Sequence, residues 1–158
     1  RNERLGARMI SNLEKLYLTI KKLSLNITDS KEYYSLAHKL GVPEKGLINL
    51  KDRLFGLEAN FEMLQAIDFK KGCYVGQENT ARIKLKDKQS KKLFPIKILE
   101  GTINVDDAIF QNQKNFGKVL IDTSYPFALI KFRDLDIRLD QIFTCNSAKV
   151  KILKPYWL

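Results

Sequence analysis

The second half of the chain constrains the fold most, because from Leu93 onward it consists of short apolar runs separated by Gly, Asn and Asp. The runs fall at residues 93–99, 108–110, 117–121, 127–132, 142–145 and 148–153. Each is too short for a stable helix, and each is rich in Ile, Val, Leu or Phe, residues that suit a pleated, half-buried surface. Strands at this close spacing, with turn residues between them, predict an antiparallel barrel or sandwich. The run Ile142-Phe143-Thr144-Cys145 places Cys145 on such a strand, where an apolar setting raises a thiol's pKa and blocks access to it.

The first half has a different texture. Asp29 or Ser30 can cap a helix that runs to Leu40, with Tyr33, Leu36, Ala37 and Leu40 on one face and Gly41 then Pro43 as stop signals. Residues 13–25 fit two periods: Leu13, Leu16, Tyr17 and Ile20 make a helical face, whereas Leu16, Leu18 and Ile20 make a strand face. Asn60 can cap a short helix carrying Phe61, Leu64 and Ile67 inward, which would deliver the chain to a loop after Phe69. Another helix is expected from near Gly76 or Gln77 to about Lys86. The whole reads as α+β, divided near Ser90 in a lysine-rich connector into residues 1–90 and 91–158.

With 158 residues, 44% of them hydrophobic, the chain suits one domain or two small ones. It has no run of about 18 apolar residues to cross a bilayer and opens on no charged-then-apolar leader, so neither membrane insertion nor secretion is expected. Cys73, Cys145 and the lone His38 cannot supply four ligands to a zinc or iron–sulfur centre within one chain. No resident metal is therefore expected, and a reducing compartment is. His38 reads as a surface or half-buried histidine. The net charge of +10 is a weak pointer to nucleic acid. The densest cluster, Lys84, Lys86, Lys88, Lys91 and Lys92, contains no aromatic residue on which a base could stack, so nucleic acid is not the favoured partner.

The stretch from Lys70 to Arg82 carries the chemistry. Gly72 and Gly76 bracket Cys73, allowing positive φ and close approach of another chain, while Lys70 and Lys71 favour the thiolate over the thiol. A cysteine in a glycine turn can also be a small buried hydrophobe. Gln77 and Glu78 fall in the first turn of the following helix, where an acidic side chain suits the exposed amides, so Glu78 reads either as a cap or as a partner-binding group.

The string Lys71-Gly72-Cys73-Tyr74-Val75-Gly76-Gln77-Glu78 resembles the Lys-Gly-Cys-Tyr-x-Gly-Gln-Glu motif of the YgfZ family, folate-binding relatives of the glycine cleavage T protein. Leu40-Gly41-Val42-Pro43-Glu44, Leu57-Glu58-Ala59-Asn60, Arg82 and the opening Arg4-Leu5-Gly6-Ala7-Arg8 are similar to further elements of that family. Two positions depart from it: Ala37 stands where the family has an arginine, and Gly56 where it has a proline. The resemblance implies a small C-terminal β-barrel after the end of a T protein-like folate-binding domain. It also implies that the family's N-terminal portion, with half of the folate cavity, precedes these residues in a longer protein.

On this resemblance the chain is expected to be a tetrahydrofolate-binding accessory protein for iron–sulfur cluster assembly or repair, not a turnover enzyme. Its partners would be iron–sulfur client or assembly proteins, in the cytoplasm or, in a eukaryote, the mitochondrial matrix. Cys73 would supply client contact or redox chemistry, with Lys71 tuning it. Tyr74, Gln77, Glu78 and Arg82 would hold the loop's exit or face the folate, and Glu58 would accept from the pterin's amino groups. A folate-dependent aminomethyltransferase is the alternative, and an RNA-binding module using the lysine cluster is the third reading.

Overall fold

The computed structural model describes residues 3–72, 75–85, 90–131 and 141–157. Three helices, α1 (Leu13–Lys22), α2 (Ser30–Lys39) and α3 (Gln77–Leu85), precede the strands among these residues. The strands are β1 (Lys91–Glu100), β2 (Ala108–Gln111), β3 (Lys114–Ile121), β4 (Phe127–Lys131), β5 (Ile142–Cys145) and β6 (Ala148–Ile152). They close into one antiparallel barrel in the order β1-β4-β3-β2-β5-β6. The chain is thus α+β with a barrel, not a sandwich, and closure leaves no open sheet edge. The apolar runs locate all six strands, although β1 and β3 begin earlier, at Lys91 and Lys114, and Phe132 lies outside the described residues.

Alternation along the strands fills the barrel. In β6, Ala148, Val150 and Ile152 point inward and Lys149 outward; in β5, Phe143 and Cys145 point inward. Phe94, Ile96, Ile109, Val119 and Ile130 complete the same core. Strand β1 breaks the alternation, with Leu93 to Ile96 all buried. The reason is a second apolar cluster outside the barrel wall, where Leu93, Leu120, Ile121, Phe127 and Leu129 are covered by Leu50 and Leu54. Each such side chain removed from water contributes about 1.5–3 kcal/mol, so this cluster is what fastens the first half to the barrel.

Polar contacts set the register of that attachment. The Leu93 N–H donates to the Glu58 carbonyl at 2.8 Å, and Asn60 Nδ2 donates to the Leu93 carbonyl at 2.7 Å. The helix expected after Asn60 does not form: residues 56–65 are a series of turns, Asn60 has φ +64°, and Phe61 is exposed. The Asn60 side chain reaches the barrel instead of capping its own segment.

Helix α2 begins as expected, with Asp29 Oδ1 accepting from the Lys31 N–H at 2.8 Å. It ends in a Schellman motif, in which Gly41 N–H donates to the His38 carbonyl and Val42 N–H to the Ala37 carbonyl, both at 2.9 Å. Gly41 takes φ +75°, and a Cβ there would lie 3.0 Å from Pro155 Cβ and from Trp157 Nε1. Ala37 and Leu40 are buried as the periodicity requires, whereas Leu36 faces outward. His38 is half-buried, 2.8 Å from the Pro126 carbonyl and edge-on to Phe127. The ambiguous stretch at 13–25 is helical over α1, where Asn12 Oδ1 accepts from the Lys15 N–H. None of the ten α1 residues is buried.

Candidate functional site

The described flanks of the glycine-bounded loop are exposed to solvent. Asp68 Oδ1 accepts from the Lys70 N–H at 2.8 Å and turns the chain outward, after which Lys70, Lys71 and Gly72 are exposed. Val75 is fully exposed, and a Cβ added at Gly72 or Gly76 would meet nothing within 4 Å. Gly76 adopts φ +84° and closes the loop, its carbonyl accepting from the Thr80 hydroxyl at 3.0 Å. Cys73 and Tyr74 lie outside the described residues. So do Lys86 and Lys88 of the lysine cluster.

Helix α3 follows at once and buries no residue. Glu78 lies in its first turn, and its carboxylate takes Arg82 as partner at 2.7 Å, one helical turn on. An exposed pair of this kind stabilises a helix by about 0.3–0.5 kcal/mol, so it shapes the surface more than it holds the fold. The helix is anchored by Lys84, which pairs with Glu62 and lies 3.9 Å from the centre of the Phe69 ring. Neither Glu62 nor Phe69 was marked by sequence spacing, since the contact joins a turn to a helix 22 residues away.

Glu58 stands apart from this group. Its Oε2 accepts from the Phe55 N–H at 3.0 Å and closes a turn, while its backbone carbonyl binds β1. Gly56 in the same turn packs beneath Phe61, a Cβ there falling 3.0 Å from Phe61 Cδ2. Ala37 is completely buried, so α2 brings no guanidinium to the position where the similar family has one. The structure therefore brings Glu78 and Arg82 together and joins neither to Glu58. A pterin needs a concave, mostly apolar pocket with convergent polar groups; these described residues form a solvent-facing helix and a self-satisfied turn, and by themselves do not fit tetrahydrofolate.

The described lysines of the cluster have different surroundings. Lys84 is held at Glu62, whereas Lys92 lies 5.6 Å from the centre of the Trp157 ring, with burial lowering its pKa below the ordinary lysine value. Cys145 is inside the barrel, and burial, with Asp107 nearby, pushes its thiol up to about 11. Among the described residues no three His, Cys, Asp or Glu side chains gather as a metal site. No described helix is long and apolar enough to cross a membrane.

No protein-family model matches the chain. Curated relatives do. The iron–sulfur cluster assembly factor IBA57 homolog of Dictyostelium discoideum, described as mitochondrial, is 29% identical over 119 residues, covering 72% of this chain and 29% of the relative. Mouse IBA57 is 38% identical over 76 residues, 48% of this chain and 21% of the relative, and human IBA57 is 37% identical over 70 residues, 44% of this chain and 19% of the relative. The chain thus spans about a fifth to three-tenths of the length of these relatives. With the motif elements above and an α+β chain ending in a barrel, these matches identify its homologues: they are the IBA57 iron–sulfur cluster assembly factors, which belong to the YgfZ and glycine cleavage T protein-like family.

Proposed function

We propose that the chain is part of an iron–sulfur cluster assembly or repair factor and that it acts through loop 71–78, with Cys73 as the group that meets a client protein. The observation that carries this reading is its likeness to relatives named for iron–sulfur cluster assembly. The open setting of Gly72, Val75 and Gly76 supports it, because exposed flanking residues leave room for a partner's surface. Lys71, Tyr74, Gln77 and Glu78 shape the loop and its exit, and Arg82 holds Glu78. Clients or assembly proteins of the iron–sulfur pathway are the partners. The compartment is the mitochondrial matrix if the source is eukaryotic, as the relatives' names suggest, and the cytoplasm otherwise.

Tetrahydrofolate enters as a ligand of the longer protein. Calorimetry on this 158-residue chain should detect weak binding or none, whereas the full-length protein should bind. Equal micromolar affinity for both would overturn the view that a second wall is needed. The functional reading is tested by complementation in cells lacking their own factor, using the complete reading frame. Cys73→Ala should fail to restore iron–sulfur enzyme activity and Cys145→Ala should restore it; full rescue by Cys73→Ala would reduce the motif to a structural turn.

A further inference from the structure

We propose that a hollow on the outer wall of the barrel, bordered by Lys91, Lys118 and Lys131, binds a phosphoryl group. The hollow is open to solvent and has a volume of about 220 Å³, and Ala108, Gly117 and Leu129 contribute to its largely apolar floor. It is distinct from loop 71–78 and does not depend on the function assigned to that loop.

Strand register brings the three lysines together from distant parts of the sequence. Lys91 on β1 lies directly opposite Lys131 on β4. Lys118 on β3 lies opposite Leu129, which shares a face of β4 with Lys131 two residues on. Like charges directly opposite one another destabilise a sheet, and an anion between them would relieve that repulsion. Asp106 is the carboxylate lining the hollow among the described residues, and it is already engaged by Arg53 and, at 2.7 Å, by Lys118. It holds Lys118 at the rim; three lysines against one carboxylate leave two positive charges. Lys131 Nζ donates to the Asn115 carbonyl at 3.3 Å, which places its ammonium at the same rim. Compact ammonium groups serve phosphate as point charges, and the apolar floor adds no second acceptor to compete for them. The absence of a base-stacking aromatic from the lining favours recognition of the phosphoryl group itself.

The test uses inorganic pyrophosphate titrated into the 158-residue chain, followed by amide NMR shifts. Shifts should centre on Ala108, Gly117 and Lys118, and the Lys91→Gln/Lys131→Gln variant should bind at least tenfold more weakly. Lys97 and Lys151 supply the control, since they also oppose each other, on β1 and β6, yet neither lines the hollow. Their double Gln variant should bind as the parent does. A parallel titration with a single-stranded RNA oligomer identifies the source of the phosphoryl group. Tighter RNA binding lost with Lys91 and Lys131 points to a nucleic-acid backbone, and pyrophosphate binding unmatched by RNA points to a small phosphorylated molecule. No shift at Gly117 and Lys118, or equal weakening by both double variants, would overturn the proposal.

Discussion

Replacing Asn60 separates two contributions that fasten the first half of the chain to the barrel. The side chain is 1% exposed, donates through Nδ2 to the Leu93 carbonyl at 2.7 Å, and leaves Oδ1 without a hydrogen-bond partner. The backbone sits at φ +64°, in the left-handed region that Asn tolerates and Ala does not. Asn60→Gly keeps the backbone and deletes the amide. Losing the donor to a buried carbonyl costs about 1–3 kcal/mol, and removing the unpartnered Oδ1 offsets part of that, so a net loss of about 1–2 kcal/mol is expected. Asn60→Ala adds a left-handed penalty of about 1 kcal/mol and should be the less stable of the two. Urea titration followed by tryptophan fluorescence reads both differences, because Trp157 packs beside Phe94, which follows Leu93 on β1. A Gly variant within about 0.3 kcal/mol of the parent, inside the ordinary range for a surface change, would refute the latch. An Ala variant more stable than the Gly variant would refute the backbone assignment.

Two further perturbations follow from local geometry. Burial lowers the His38 pKa below its ordinary 6.5 against the opposing effect of the Pro126 hydrogen bond. The unfolded chain then takes up the proton first as pH falls, so this contribution to stability is intact above about pH 6.5 and is lost below it. Urea midpoints at pH 7.5 and 5 should drop more for the parent than for His38→Gln; equal drops would contradict the assignment. At Gly117 a Cβ would collide with the Leu129 carbonyl oxygen and lie 3.0 Å from Ile130 Cα, so Gly117→Ala should cost about 3 kcal/mol or more. A variant with unchanged thermal midpoint would show that β3 and β4 can separate without penalty.

The barrel was legible because each strand carries its own apolar run, and turns rich in Gly, Asn and Asp separate the runs. Helix α2 was legible for a similar reason, with Asp29 and Gly41 marking its ends. The segment around Asn60 was not. An Asn before apolar residues signals a helix cap, but here the same side chain binds a strand 33 residues away, and no local pattern announces a long-range partner. The turn that Glu58 closes was not legible either, since its carboxylate accepts from a backbone N–H three residues back and no spacing marks that contact. The convergence of Lys91, Lys118 and Lys131 depends on strand register, which follows from barrel closure and not from any spacing along the chain.

The relative reactivity of the two cysteines tests the central claim most directly. Cys145 is buried in the barrel with its thiol pushed up to about 11, so at pH 7.5 roughly one molecule in three thousand would carry the thiolate even if the site were open. Cys73 belongs to a loop whose described flanks are exposed and follow two lysines, conditions that favour both access and ionisation. Time-resolved iodoacetamide labelling of the native chain, read by peptide mass analysis, should show Cys73 modified at least tenfold faster than Cys145. Labelling of Cys145 first, or equal rates for the two, would contradict the account.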